Sequence, residues 1–270
     1  MTVAAHSRLS VSALSSWNWT LDQDLSFWRE SGIDHVGIWT DKLDGPGWNE
    51  AVEKVAARGL RVSNLISAGP FSLDRPAKWP EQRERLISML DAAAVIEAPQ
   101  LVLTTGPANG LDWEEAAAAL ESAIGPVLDL GHEIPIAFEH TNSLRPDIGF
   151  LHTLADAIDF ARQLGVGVCM ECNACWAERG LYQTITEGVE LLSIVQVDDF
   201  VVGTRDTPNR VVPGDGDIPL ERIVGHLVAA GYKGDFDLEV VGPRIEEEGY
   251  GAAITRSVEA MTAILEKVNA

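Results

Sequence analysis

Ile134-Pro-Ile-Ala-Phe-Glu-His-Thr-Asn142 is a short apolar run that stops at a carboxylate, an imidazole and an amide. Such a run reads as a buried strand that delivers polar groups at its C-terminal end. Val166-Gly-Val-Cys-Met-Glu171, Ser193-Ile-Val-Gln-Val-Asp-Asp199 and Asp235-Phe-Asp-Leu-Glu239 repeat the pattern. One strand ending in Glu says little. Four strands, each ending in an oxygen donor, suggest a site built where the strand ends converge.

Working outward from these runs, strands are expected over 9–14, 35–39, 60–66, 100–104, 134–139, 166–171, 194–197 and 235–239. Helical patterns separate them over 20–31, 48–58, 80–98, 112–130, 151–164, 184–192, 219–230 and 254–268. Thr20 reads as an N-cap, Gly32, Gly59 and Gly165 as stops, and Asp44-Gly-Pro-Gly47 as a turn. Strands alternating with helices pair in parallel, because parallel neighbours need crossovers. Residues 1–7 read as a loose tail, and no linker or composition break divides the rest. Eight such units make residues 1–270 a single-domain α/β (β/α)8 TIM barrel. An open doubly wound sheet would place a Gly-rich phosphate loop after its first strand. Here that loop is Ser15-Ser-Trp-Asn-Trp19, with no glycine.

Composition narrows the function. The chain is 46% hydrophobic, and its 20 Lys plus Arg against 41 Asp plus Glu give a net charge of −21. No basic patch is available to release counterions from a nucleic acid or an anionic membrane. With no secretory h-region and no apolar run of about 18 residues, a cytoplasmic protein is expected. Cys169, Cys172 and Cys175 fall within one short stretch, which is no disulfide framework, and a thiolate metal site would lack its fourth cysteine.

Alternation along each strand sends Glu139, Glu171, Gln196 and Glu239 into the barrel mouth. Carboxylates converging without a cation would repel, and an all-oxygen set suits Mn²⁺, Mg²⁺ or Co²⁺. The alternative is that some of these acids pair with Arg205, Arg210 or Arg244 in the loops. Trp17, Trp19, Trp39 and Trp176 fall at strand ends or just beyond, where rings can stack on the apolar face of a sugar or on an aromatic group. Trp28 and Trp48 belong to helices and to the core.

These residues, most clearly over 134–243, resemble the xylose isomerase-like TIM-barrel superfamily, with its sugar isomerases and epimerases, inosose dehydratases and endonuclease IV-type nucleases. The resemblance extends to Pro213-Gly-Asp-Gly-Asp-Ile218 and Gly231-Tyr-Lys-Gly234. It implies a divalent metal held by Glu139, Glu171, Gln196 and Glu239, and proton abstraction next to a carbonyl of a carbohydrate, polyol or oxidised sugar. Glu139 and Glu239 would be ligands and acid/base groups, and His140 an additional base. Asn142, Trp17, Trp39, Asn173, Trp176, Arg205 and Arg210 would contact the substrate. The chain departs from the family pattern at Glu171, where the family has Asp, at Ala174, where it has a histidine, and at Gln196, where it has a metal-binding histidine. These departures keep β-elimination from an inosose or 3-oxo-glycoside open, along with a non-catalytic ligand-binding barrel. The partner expected is a small carbohydrate-like molecule, not nucleic acid or membrane, and a homo-oligomer is compatible with the sequence.

Overall fold

The computed structural model describes residues 4–45 and 47–270; residues 1–3 of the tail and Pro46 of the expected turn lie outside them. The chain runs β1 (Leu9–Ser12), α1 (Leu21–Ser31), β2 (His35–Trp39), α2 (Thr40–Asp44), α3 (Trp48–Ala56), β3 (Arg61–Ser67), α4 (Trp79–Val95) and β4 (Leu101–Thr104). It continues α5 (Trp113–Leu128), β5 (Ile136–Glu139), α6 (Leu154–Leu164), β6 (Gly167–Glu171), α7 (Cys172–Cys175), α8 (Leu181–Gly188) and β7 (Leu192–Val197). The last elements are α9 (Leu220–Ala229), β8 (Phe236–Leu238), α10 (Pro243–Glu248) and α11 (Tyr250–Lys267). The eight strands are parallel to their neighbours and close into a barrel in sequence order, with β1 against β8. This is a single-domain (β/α)8 TIM barrel.

The helix ends are set by local chemistry. At α1, Thr20 Oγ1 accepts from the Gln23 N–H while Gln23 Oε1 accepts from the Thr20 N–H, a capping box. Gly32 ends that helix in the left-handed region, at φ 74°. Pro126 sits inside α5, where its missing N–H leaves the Ser122 carbonyl without its helical donor. Arg83 of α4 donates to that carbonyl at 3.0 Å, so the helix runs on. The sequence pattern carries β1 to residue 14, but the chain turns into a 3-10 helix at Ala13, where Ser12 Oγ accepts from the Leu14 N–H. Helices α2, α7 and α10 are short additions after β2, β6 and β8 that no apolar periodicity announces.

Two layers fill the barrel above its base. One is apolar, made of Ile66, Val102, Ala137, Cys169 and Ile194. The other is polar: Ser10 donates to Asp237 at 2.5 Å and Asn64 donates to it at 3.2 Å. A Cβ on Gly37 would lie 2.9 Å from both Asn64 and Asp237, so glycine is what lets this cluster close. Burial pushes the Asp237 carboxyl up to about 7, with a contribution from Glu239, against the hydrogen bonds of Ser10 and Asn64.

Because the folded state keeps this proton longer than the unfolded chain, the contribution is fully present below 3.8 and is lost as pH rises through about 7. Urea unfolding across that window should show stability falling with pH, by at most about 1.4 kcal/mol per unit from this group. Asp237→Asn should flatten the slope, and an unchanged slope would place the effect on other acids.

Candidate active site

Side chains alternate along a strand, so residues two apart share a face. Glu139, Glu171 and Gln196 each come two residues after an inner-layer residue (Ala137, Cys169, Ile194), and Glu239 comes two after Asp237. The register sets Glu171 beside Gln196, Gln196 beside Asp237, and Glu139 beside both Thr104 and Cys169. All four are buried at the C-terminal end of the barrel, and two of them, Glu171 and Glu239, lie against a guanidinium.

That guanidinium is Arg210, and the loop after β7 puts it there. The Asp199 carboxylate accepts from the N–H groups of Gly214, Gly216 and Ile218 at 2.8–3.1 Å, folding residues 213–218 around itself. A Cβ on Gly216 would sit 2.3 Å from Asp199 Oδ1, so only glycine allows this turn. The Val211 N–H donates to the Asp199 carbonyl at 2.9 Å and the Arg210 N–H to the Val241 carbonyl at 3.0 Å. The side chain between them points inward. Its Nη1 donates to the Glu239 carbonyl at 2.8 Å and pairs with Glu239 Oε1. Its Nε lies 2.6 Å from Asp198 Oδ2, and its Nη2 lies 3.5 Å from Glu171 Oε1. Of the loop arginines named from sequence, this one takes the acid-pairing role, while Arg205 is exposed.

Burial works against the Arg210 charge, but Asp198, Glu239 and Glu171 outweigh it and raise its pKa further. Glu139 makes no ion pair among the described residues. Burial, then Glu239 and Glu171, push its carboxyl well above the ordinary range, against the pull of Arg210 and the Gln196 amide. Burial also raises Glu239, but Arg210 and the amide of Gln196, which donates to Glu239 Oε2 at 2.5 Å, pull it back. Two acids with unequal environments thus face one mouth.

The mouth opens into a cavity of about 210 Å³ lined by Glu139, Glu239 and Arg210, together with Trp17, Trp39 and Arg145. The two indoles stack with centroids 4.6 Å apart and planes at 24°. Their loops are tied together below by Lys42, whose Nζ donates to Asp24 Oδ2 at 2.5 Å and to the Ser16 carbonyl at 3.0 Å. Arg145, which no sequence motif singles out, arrives through Asn142. Asn142 Oδ1 accepts from the Leu144 N–H at 2.9 Å and its carbonyl accepts from the Arg145 N–H at 2.7 Å. Asn142 therefore builds the loop and Arg145 lines the cavity. Asn173 is buried and half-buried Trp176 packs on the core; neither lines this cavity. A larger hollow of about 490 Å³ lies among Leu90, His132, Ile134 and Gly167 at the opposite end of the strands, with no converging acids.

His140 comes directly after an inward residue, so it faces the other way. It is fully buried behind β5, and its Nε2 accepts from the Glu171 N–H at 3.2 Å. Burial pushes it down to about 4, with His152 adding to the drop and Glu171 opposing it. Its ring resonances should therefore show no titration between about pH 5 and 8 in an NMR series. A midpoint near the ordinary 6.5 would place it in contact with solvent.

Of the four expected metal ligands, Glu171 and Glu239 already have both carboxylate oxygens engaged. Both oxygens of Glu171 cap α7, accepting from Asn173 and Ala174 N–H groups at 3.1 and 2.6 Å. Gln196 turns its amide N–H to Glu239 and leaves its buried Oε1 without a partner among the described residues, while Glu239 is bound to Arg210. Among the described residues no three His, Cys, Asp or Glu side chains are set to hold a metal ion. Nor is any helix of the described residues long and apolar enough to cross a membrane.

No curated protein matches the chain. Several solved structures do. Protein SMc04130 from Sinorhizobium meliloti 1021 is 23% identical, with a TM-score of 0.87 over 96% of this chain and 98% of that one. IOLI protein, solved with a bound zinc atom, is 17% identical, with a TM-score of 0.82 over 97% and 99%. A D-psicose 3-epimerase solved with D-fructose is 17% identical, with a TM-score of 0.71 over 96% and 97%. At these identities the likeness carries the fold. The family model described as xylose isomerase-like TIM barrel matches residues 25–261. The chain belongs to the xylose isomerase-like TIM barrel family.

Proposed function

We propose that this protein is an enzyme of the sugar isomerase and epimerase kind, moving a proton on the carbon next to a carbonyl. The substrate class is a carbohydrate, polyol or oxidised sugar derivative. One observation carries the reading: Glu139 and Glu239 line the same small cavity in unequal electrostatic settings. A pair of acids pushed apart in this way supplies a proton donor and a proton acceptor at one pH. Glu239, paired with Arg210, is held nearer its ionised form than Glu139 and acts as base; Glu139, which makes no ion pair among the described residues, carries the proton and returns it.

Among the described residues the nearest partner of Arg210 Nη2 is Glu171 at 3.5 Å, so it has N–H groups for a substrate oxygen. Donors fixed before the substrate arrives stabilise the charge that develops on that oxygen as the proton leaves. The Trp17–Trp39 stack offers an apolar face for a sugar ring. The cavity is smaller than the roughly 300–1,000 Å³ of drug-sized sites, which suits a monosaccharide-sized ligand. The D-fructose of one similar structure, a D-psicose 3-epimerase, supports a sugar-handling reading. The same acid pair could protonate a leaving group instead, which makes β-elimination the second outcome of the same enolate.

The test is a panel of ketoses, inososes and 3-oxo-glycosides incubated with the protein in D₂O. Deuterium should enter the carbon next to the carbonyl of at least one compound, seen by NMR or mass shift. If a sugar binds yet no compound exchanges or eliminates, the protein is a ligand-binding barrel and the enzyme reading fails.

A further inference from the structure

We infer that Arg210 stands where a divalent ion would otherwise be needed, so that the cation of this site is part of the chain. The inference concerns the same cavity as the proposed function but does not depend on sugar turnover. Three carboxylates from separate strand ends and their loops, Glu171, Asp198 and Glu239, each approach a different nitrogen of one guanidinium. The side chain is about nine-tenths buried, and its backbone is fixed on both sides by the Asp199 and Val241 carbonyls. A surface arginine balancing stray acids would show neither the burial nor the three-way contact.

A metal and this guanidinium compete for the same lone pairs. Ligand oxygens must come within about 2.0–2.6 Å of a hard divalent ion and surround it. Glu239 Oε1 is held by Arg210 and Oε2 by the Gln196 amide. The two Glu171 oxygens face the N-terminus of α7. Seating an ion would also bring a second positive charge against a guanidinium already held by three acids. Gln196 adds to the hold on Glu239, since its amide N–H donates to Oε2 while Arg210 pairs with Oε1; the Gln196 Oε1 has no partner among the described residues. Chemically, a guanidinium still does part of an ion's work, since it neutralises buried acids and donates to an oxygen that gains charge. It cannot bind two substrate oxygens by direct coordination, so orientation falls to Arg145 and the indole stack.

The deciding measurement is elemental analysis of the full chain purified without chelator, then thermal unfolding with EDTA, Mn²⁺ or Zn²⁺. The expected result is a substoichiometric metal content and an unfolding midpoint that none of the three additions moves. A stoichiometric ion that Glu239→Gln releases would overturn the inference. Arg210→Met provides the converse arm, because it leaves the buried acids without an internal cation. Calorimetric titration of that variant with Mn²⁺ and Zn²⁺ should show tighter binding than the wild type, at least about tenfold given the strength of charge-assisted contacts removed. Equal affinity in variant and wild type would mean that the guanidinium does not hold the ion's place. The elemental analysis needs no variant, so the inference stays testable if Arg210→Met does not fold. Absence of sugar exchange with a metal-free wild type would reject the proposed activity while leaving this inference intact.

Discussion

Arg210→Ala, unfolded by urea at pH 7 in EDTA, should lose about 3–5 kcal/mol of stability, the usual consequence of removing one partner of a buried ion pair. The loss does not come from the attraction alone. Asp198 and Glu171 are 0% and 2% exposed, and with the guanidinium gone they stay buried with no positive group beside them. Stranded carboxylates have raised pKa values, so the folded variant binds more protons than its unfolded chain, and its stability falls as pH rises. Lowering the pH towards 5 should therefore return part of the deficit. A loss under about 1 kcal/mol, typical of a solvent-exposed pair, would mean that Arg210 does not sit among these acids in solution.

The second large effect is expected on catalysis. Glu139→Gln should lower solvent deuterium exchange into the substrate by about 10²–10⁴-fold, the ordinary weight of a positioned acid or base. Glutamine matches the shape of a protonated glutamic acid, and burial holds Glu139 towards that neutral form, so folding should be little changed. Circular dichroism melting of the same sample checks this. An exchange rate within about threefold of the wild type, in a folded variant, would remove Glu139 from the chemistry and leave Glu239 without its partner.

The barrel was legible because its strands are buried on both faces and read as apolar runs between helical periods. The inward set was legible for a related reason. Alternation ties Glu139 to Ala137 and Glu171 to Cys169, so an apolar inner layer fixes which acids share the mouth. The same parity places His140 outside, since neighbours on a strand face opposite ways, and the signal lay in the residue next to Glu139. Arg210 was harder. It is one of several loop arginines, and its partners lie 12 to 39 residues away along the chain, so only the turn wrapped on Asp199 singles it out. Arg145 was missed although Asn142 carried a cue: an Asn two residues before an apolar Leu144 can close an Asx turn and aim the next side chain. Helix α7 was missed because its start is a carboxylate cap from Glu171, a residue read only as a ligand.

The Trp17–Trp39 stack gives the molecule an optical handle on its own mouth. Indoles 4.6 Å apart couple their electronic transitions, and Trp17 is 44% exposed at the rim of the cavity. A molecule entering beside them changes both the polarity around the pair and its coupling, while the buried Trp28 contributes a constant background. Ligand screening can then be read from intrinsic near-ultraviolet dichroism and emission, without label or assay chemistry, and before any reaction is known.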